Sequence, residues 1–168
     1  VRHPLQQARF FATAARADQL PPSGAPEVAF AGRSNSGKSS AINALANQTR
    51  LAFASKTPGR TQQINFFSLP GGALLADLPG YGYAAVPRAL KAHWHAFVAT
   101  YLATRQSLVA LVLIVDARHG LADLDRDVLA AFLPSGRPVL LLATKMDKLG
   151  RQAQREARAA IERALSET

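Results

Sequence analysis

Val28-Ala29-Phe30-Ala31-Gly32-Arg33-Ser34-Asn35-Ser36-Gly37-Lys38-Ser39 passes from a short apolar run into a glycine-bounded polar loop, and its last eight residues match G-x-x-x-x-G-K-[ST] in full. The glycines let the backbone wrap closely around an anion. Successive amides converge on that anion, and a helix opening at the end of the loop adds its positive dipole end. Ser39 to Ala46 suits such a helix, with Ile42 and Leu45 three apart. Strand, loop and helix in this order are the context in which the pattern cradles nucleotide phosphates. Gly32, Arg33, Ser34, Asn35, Ser36 and Gly37 then line the phosphates, Lys38 reaches the β- and γ-phosphates, and the Ser39 hydroxyl binds Mg²⁺.

Working outward, the same alternation recurs. Residues 1–24 read as a lead-in, closed by the loop cluster Pro21-Pro22-Ser23-Gly24, and residues 25–168 read as the domain. Residues 48–62 are polar and hold Pro58-Gly59, which predicts a long exposed loop. Ile64–Leu69, the turn Pro70-Gly71-Gly72 and Ala73–Leu78 read as a hairpin. Pro87 can open a helix at its first position, in which Leu90, Trp94, Phe97 and Tyr101 step by 4, 3 and 4 along one buried face. Leu108–Val115 is a continuous apolar run, as expected in the middle of a parallel sheet, and Pro138–Ala143 reads as another buried strand. Leu121–Leu133 and Arg151–Leu165 read as helices. The expected fold is α/β, with a mostly parallel sheet and helices on both faces. Right-handed crossovers bring the ligand site to one edge of that sheet.

Three further loops carry chemistry. Asp77-Leu78-Pro79-Gly80 ends the hairpin's second strand, where Asp77 can hold the magnesium shell through water and the Gly80 amide can bond the γ-phosphate. Thr144-Lys145-Met146-Asp147 follows the strand Pro138–Ala143. A carboxylate at Asp147 can accept two hydrogen bonds from guanine, a pair of donors that adenine lacks. The Lys145 stem can lie against the base plane. In the long polar loop, Thr57 or Thr61 is placed to ligand Mg²⁺ by its hydroxyl and the γ-phosphate by its amide, which would order the loop only with GTP bound.

Bulk properties bound the rest. A chain of 168 residues can build one domain with a real core, since a domain near this size buries roughly 70% of its unfolded surface. There are no cysteines, which removes disulfides, thiolate catalysis and Cys-ligated zinc. No apolar run approaches the ~18 residues of a membrane span. The net charge of +9, read as spread along the chain with no Lys/Arg block, favours polyanionic partners.

Four motifs in this order resemble the translation-factor-type GTPases, and their finer spelling resembles the EngB family of bacterial ribosome-assembly GTPases. The strings that carry the likeness lie between Pro26 and Leu149. They are Gly32 to Ser40, Lys56-Thr57-Pro58-Gly59-Arg60-Thr61-Gln62, Asp77-Leu78-Pro79-Gly80-Tyr81-Gly82-Tyr83-Ala84, and Thr144-Lys145-Met146-Asp147-Lys148; Asp116-Ala117-Arg118-His119 also resembles a family segment. The resemblance implies a Ras-like three-layer GTPase fold, GTP and GDP as ligands, Mg²⁺ as cofactor, and the large ribosomal subunit or its rRNA precursor as partner. It implies a cytoplasmic monomer with no membrane contact. It adds Ser40, Pro58, Gly59 and Arg60 to the nucleotide site, selects Thr61 over Thr57, and makes Lys38, Thr61 and Gly80 the catalytic set. Ser39, Thr61 and Asp77 then hold Mg²⁺, and Asn35 matches a position that binds K⁺ in related GTPases.

Two departures from the wider pattern matter. Thr144 stands where most GTPases have Asn, which implies a looser tie to the phosphate loop and modest nucleotide affinity. Tyr81 stands where Ras-like enzymes carry the glutamine that orients water, which implies slow intrinsic turnover. The resemblance also implies a further strand, a Ser-Ala loop and a last helix, whereas the 21 residues after Asp147 read as one helix. A P-loop ATPase or nucleotide kinase, and a guanine-nucleotide sensor without useful catalysis, are the competing readings. Trp94 reads as core, with His93 and His95 on the helix surface; Arg33, Arg60, Arg88, Lys91, Arg118 and Arg137 are candidates for an rRNA-facing surface.

Overall fold

The computed structural model describes residues 3–53, 62–83 and 87–168. Strands β1 (Arg9–Ala14), β2 (Glu27–Gly32), β3 (Ile64–Ser68), β4 (Leu74–Asp77), β5 (Leu108–Asp116) and β6 (Val139–Thr144) form one sheet in the order β1-β3-β4-β2-β5-β6. From β4 to β6 all neighbours are parallel; β3 pairs antiparallel with both β4 and β1. The helices are α1 (Lys38–Ala46), α2 (Arg88–Thr104), α3 (Asp123–Phe132) and α4 (Arg151–Ser166). This is the expected mostly parallel sheet with one antiparallel hairpin.

The alternation of side chains along the strands divides the core into two layers. Ala29, Ala31, Leu111, Leu113 and Phe66 face one side, where Trp94 and Tyr101 of α2, Phe132 of α3 and Ile161 of α4 cover them. Phe30, Val112, Ile114, Phe67 and Leu75 face the other, with Ile42 of α1. The central strands β2 and β5 are therefore apolar on both faces, which is why their sequences are continuous apolar runs.

Several sequence expectations are corrected in detail. The residues before Pro21, read as a lead-in, supply the edge strand β1, with a register shift between Phe10 and Ala12. A bulge there breaks the period-2 pattern that would have marked a strand. β6 is an outer strand and not a buried one: its residues are only partly covered, and Leu140 is 59% exposed. In α1 the buried pair is Ile42 and Ala46, while Leu45 is exposed. In α2 the buried face is Trp94, Val98, Tyr101 and Leu102; Leu90 is exposed and Pro87 sits at the cap before the helix.

At the far end of the sheet from the phosphate loop, Glu27 is fully buried. Its carboxylate accepts from the Tyr101 hydroxyl at 2.7 Å and from Arg105 Nη2 at 2.6 Å and Nε at 3.0 Å. Arg105 also donates to the Pro21 carbonyl at 2.6 Å. The end of α2 is thereby fixed to the start of β2, and no buried side-chain polar atom of the cluster is left without a partner, as a buried charge requires.

Candidate functional site

The phosphate loop runs from the end of β2 into the start of α1. Gly37 has φ +95°, in the left-handed region, and Asn35 has φ +64°. A Cβ on Gly32 would lie 2.6 Å from Ser36 Oγ and 2.9 Å from the Ile114 carbonyl. The first glycine is thus required by close packing against β5, the second by backbone conformation. Ser36 points into the protein: it is 3% exposed and its hydroxyl has no partner among the described residues. Of this predicted ligand only the backbone can serve a phosphate. Ser39 is half-buried and Ser40 exposed.

Asp77 ends β4 beside β2, opposite Phe30, and is buried. Its Oδ1 accepts directly from Lys38 Nζ. The two charged groups that the sequence assigns to phosphate and to the magnesium shell are therefore neighbours and mutual counter-ions. Leu78 is buried, with its amide donating to the Phe30 carbonyl at 3.0 Å. Gly80 runs alongside the phosphate loop: a Cβ there would lie 3.3 Å from Ser34 Cα. The Ser34 amide donates to the Tyr81 carbonyl at 2.7 Å, joining the two loops through backbone. Thr57, Pro58, Gly59, Arg60 and Thr61 lie outside the described residues.

Tyr81 does not face the phosphates. It is 3% exposed, its ring centroid is 6.1 Å from that of Trp94, and its hydroxyl donates to Asp125 Oδ1 at 2.6 Å. Burial and the neighbouring Asp125 charge push its phenol above the usual range, so it stays a donor. Asp125 Oδ2 accepts from the Ala122 amide at 2.8 Å and so caps its own helix α3. The loop after β4 is in this way pinned to the start of α3.

The loop after β6, expected from the sequence to read the base, runs alongside the phosphate loop. The Thr144 hydroxyl lies on the Ser36 carbonyl, with the Val115 carbonyl at 3.2 Å. The tie that an Asn would make is thus kept by a Thr, through a single hydroxyl. Lys145, at φ +59°, donates from Nζ to the Asn35 carbonyl. Met146, Asp147 and Lys148 form a single 3₁₀ turn; the Asp147 side chain is 73% exposed, with Lys148 Nζ at 3.5 Å. A cleft of about 350 Å³ flanks the phosphate loop towards α3, lined in part by Arg33, Asn35, Asp116, Arg118, His119 and Lys145. Lys38, Ser39, Asp77 and Asp147 are not among its walls, so it adjoins the expected nucleotide path without containing it.

Sequence reading missed Asp116 and Asp125 as structural carboxylates. An acid directly after the apolar run Leu108–Val115 was the available signal, since Asp77 likewise ends a parallel strand. Trp94 is buried and His93 and His95 are exposed. Of the candidate rRNA-facing cations, Arg118 is bonded to Asp116 and Arg137 to the carbonyls of Arg105 and Gln106. Among the described residues no group of three or more His, Cys, Asp or Glu side chains could hold a metal by itself, and no helix is long and apolar enough to cross a membrane.

A family model described as 50S ribosome-binding GTPase matches residues 27–145. The chain is 57% identical over 147 residues to the "Probable GTP-binding protein EngB" of Azoarcus sp., covering 88% of this chain and 70% of that one. It is 56% identical over 167 residues to the protein of the same name from Paraburkholderia phymatum, covering 97% and 76%. Among solved structures, a probable GTP-binding protein EngB superposes with TM-score 0.62 at 23% identity over 81% of this chain and 80% of that one. Era from Aquifex aeolicus superposes with TM-score 0.58 at 21% identity over 84% and 48%.

Proposed function

Because the chain belongs to the EngB family of GTP-binding proteins, we propose that its GTPase activity is slow and magnesium-dependent, and that bound nucleotide switches its docking on the large ribosomal subunit or its rRNA precursor. The observation that supports the site assignment is the convergence of three loops: Lys38 and Asp77 in contact, Gly80 against Ser34, and Thr144 and Lys145 on the carbonyls of Ser36 and Asn35.

In this reading Lys38 turns from Asp77 to the β- and γ-phosphates while Asp77 supports the metal's water shell. The oxygen donors of Ser39 and Asp77 suit Mg²⁺, which takes few protein ligands and completes its shell with phosphate and water. When bound, magnesium neutralises charge between the β- and γ-phosphates. The amide of Gly80 and the loop holding Thr61 would meet the γ-phosphate, and Asp147, exposed at the end of β6, would read guanine. Tyr81, committed to Asp125, leaves the attacking water without a side chain at that position, which fits a low intrinsic rate. Asn35, whose side chain is exposed, is the residue that the family resemblance offers to K⁺; turnover equal in Na⁺ and K⁺ removes that ion from the scheme.

Charge supports the partner. The net excess, which reads as spread along the chain, is uneven once acids are counted. Residues 1–115 hold eleven of the twenty Lys and Arg but three of the eleven Asp and Glu, and so carry eight of the nine net charges. Each of those three acids is already paired: Asp18 with Arg16, Glu27 with Arg105 and Asp77 with Lys38. The stretch of chain that holds both loops assigned to the phosphates is thus basic without compensation, which suits a phosphate-rich partner. The test is co-sedimentation with purified ribosomal subunits, comparing GDP with a non-hydrolysable GTP analogue across a salt series. Pelleting with the large subunit only with the analogue supports the switch. Equal pelleting in both states that disappears with salt leaves a GTPase of other purpose.

A further inference from the structure

Asp116 is the last residue of β5 and lies beside Thr144 in the parallel ladder with β6. Its carboxylate is nearly buried and has all its directions used. Oδ1 accepts from the Arg118 amide and from Arg118 Nε, both at 3.0 Å; Oδ2 accepts from Arg118 Nη2 at 2.8 Å and pairs with Lys145 Nζ at 3.1 Å. Arg118 therefore grips the carboxylate as a planar fork and leaves one edge aimed at Lys145. The same ammonium reaches the Asn35 carbonyl in the phosphate loop. Lys145 itself sits at φ +59°, a conformation a lysine adopts only when its surroundings hold it there. Beside it, Thr144 offers one hydroxyl proton to two carbonyls, Ser36 and Val115, and can serve one at a time.

We propose that Asp116, steadied by Arg118, is a positioning residue for guanine nucleotide: it fixes the Lys145 ammonium on the phosphate loop and so holds together the base-reading and phosphate-binding loops that Thr144 joins by a single hydroxyl. The inference rests on the reading of Thr144–Asp147 as the base loop. It goes beyond that reading in giving the Asp116–Arg118 pair the task of setting nucleotide residence time. The charge of Asp147 also acts on Arg118, so the pair sits within electrical reach of the base-reading carboxylate. A merely structural aspartate at a strand end would need no partner on a different loop.

The test is stopped-flow dissociation of fluorescent GDP from the whole chain. Asp116→Asn keeps the shape but turns an amide towards Arg118 and weakens the hold on Lys145; GDP dissociation is expected to quicken by about tenfold. Arg118→Ala, at a side chain 42% exposed, is the second variant if Asp116→Asn folds poorly, and is expected to quicken release by about threefold. Arg118→Lys restores part of the lifetime. Thr144→Asn lengthens it and makes Asp116→Asn cost less than in the parent, because the two anchors share one task. Dissociation within twofold of the parent for both Asp116→Asn and Arg118→Ala, or strict additivity with Thr144→Asn, overturns the proposal while the base-loop reading stands. Failure of the parent chain to bind GDP in preference to ADP overturns the base-loop reading itself.

Discussion

Two buried hydroxyl–carboxylate contacts, Tyr81 to Asp125 and Tyr101 to Glu27, show how single side chains fix loops that the backbone alone would leave loose. Replacing Tyr81 by Phe keeps the ring against Trp94 and leaves Asp125 buried with only the Ala122 amide. A lost partner on a buried acceptor costs about 1–3 kcal/mol, so the urea midpoint should fall accordingly; an unchanged midpoint would mean the hydroxyl is idle. Asp116 gives a pH prediction. The hydrogen bonds from Arg118, then those from its backbone and Lys145, hold its carboxyl well below the usual range against the opposing effect of burial. Its stabilisation is therefore complete above the unfolded value of about 3.9 and is lost as pH falls towards the folded one. The stability gap between the parent and Asp116→Asn should be flat from pH 7 to pH 5 and close below pH 4. A gap that changes near neutrality would assign the effect to another group.

At the scale of elements, the end of α2 is anchored to β2 by Arg105 and Glu27, the latter fully buried. Arg105→Met strands a buried carboxylate, and breaking a buried pair this way costs about 3–5 kcal/mol; chemical denaturation measures it, and a loss under about 1 kcal/mol would show that the pair does not anchor the helix. The strands differ in the same physical way. Among the described residues β5 lies between β2 and β6, whereas β6 has one neighbour, so in this chain amide exchange in β5 should be far slower than at the outward amides of β6. Equal protection in both would mean that β6 is covered in solution. These elements also show what the sequence can disclose. β2 and β5 were legible because a strand apolar on both faces announces itself, and the phosphate loop because its glycines are required wherever it folds. β6 was read as buried from Val139-Leu140-Leu141-Leu142, yet its exposure is set by what stands beside it, which its own residues do not record. Leu45 and Leu90 have helical spacing but fall off the buried stripe, since packing and not periodicity chooses which side of a helix faces the sheet. β1 hid behind its bulge at Phe10–Ala12. The roles of Asp116, noted only as part of a family-like segment, and of Asp125 stayed hidden because their partners Lys145 and Tyr81 are distant in sequence.

At the scale of the molecule, sheet order converts chain order into geography. β1, β3, β4 and β2 with α1 and α2 belong to the stretch of chain, residues 1–115, that holds eight of the nine net charges, and β6, α3 and α4 belong to the nearly neutral remainder. Charge reversal at Arg88 and Lys91, both in the first turn of α2, should weaken binding to the large subunit and reduce the slope of log affinity against log salt by roughly one to two. Reversal at Arg151 and Arg155 on α4 should change neither. The reverse ranking would place the partner on the other side. A molecule charged on one flank also experiences a torque in the field of a polyanion. It would turn while still in solution, before any surface is touched, so most collisions with such a partner would begin with the more basic flank leading. Salt should then slow arrival far more than it shortens residence, and the nucleotide state would be read at the leading face of each encounter.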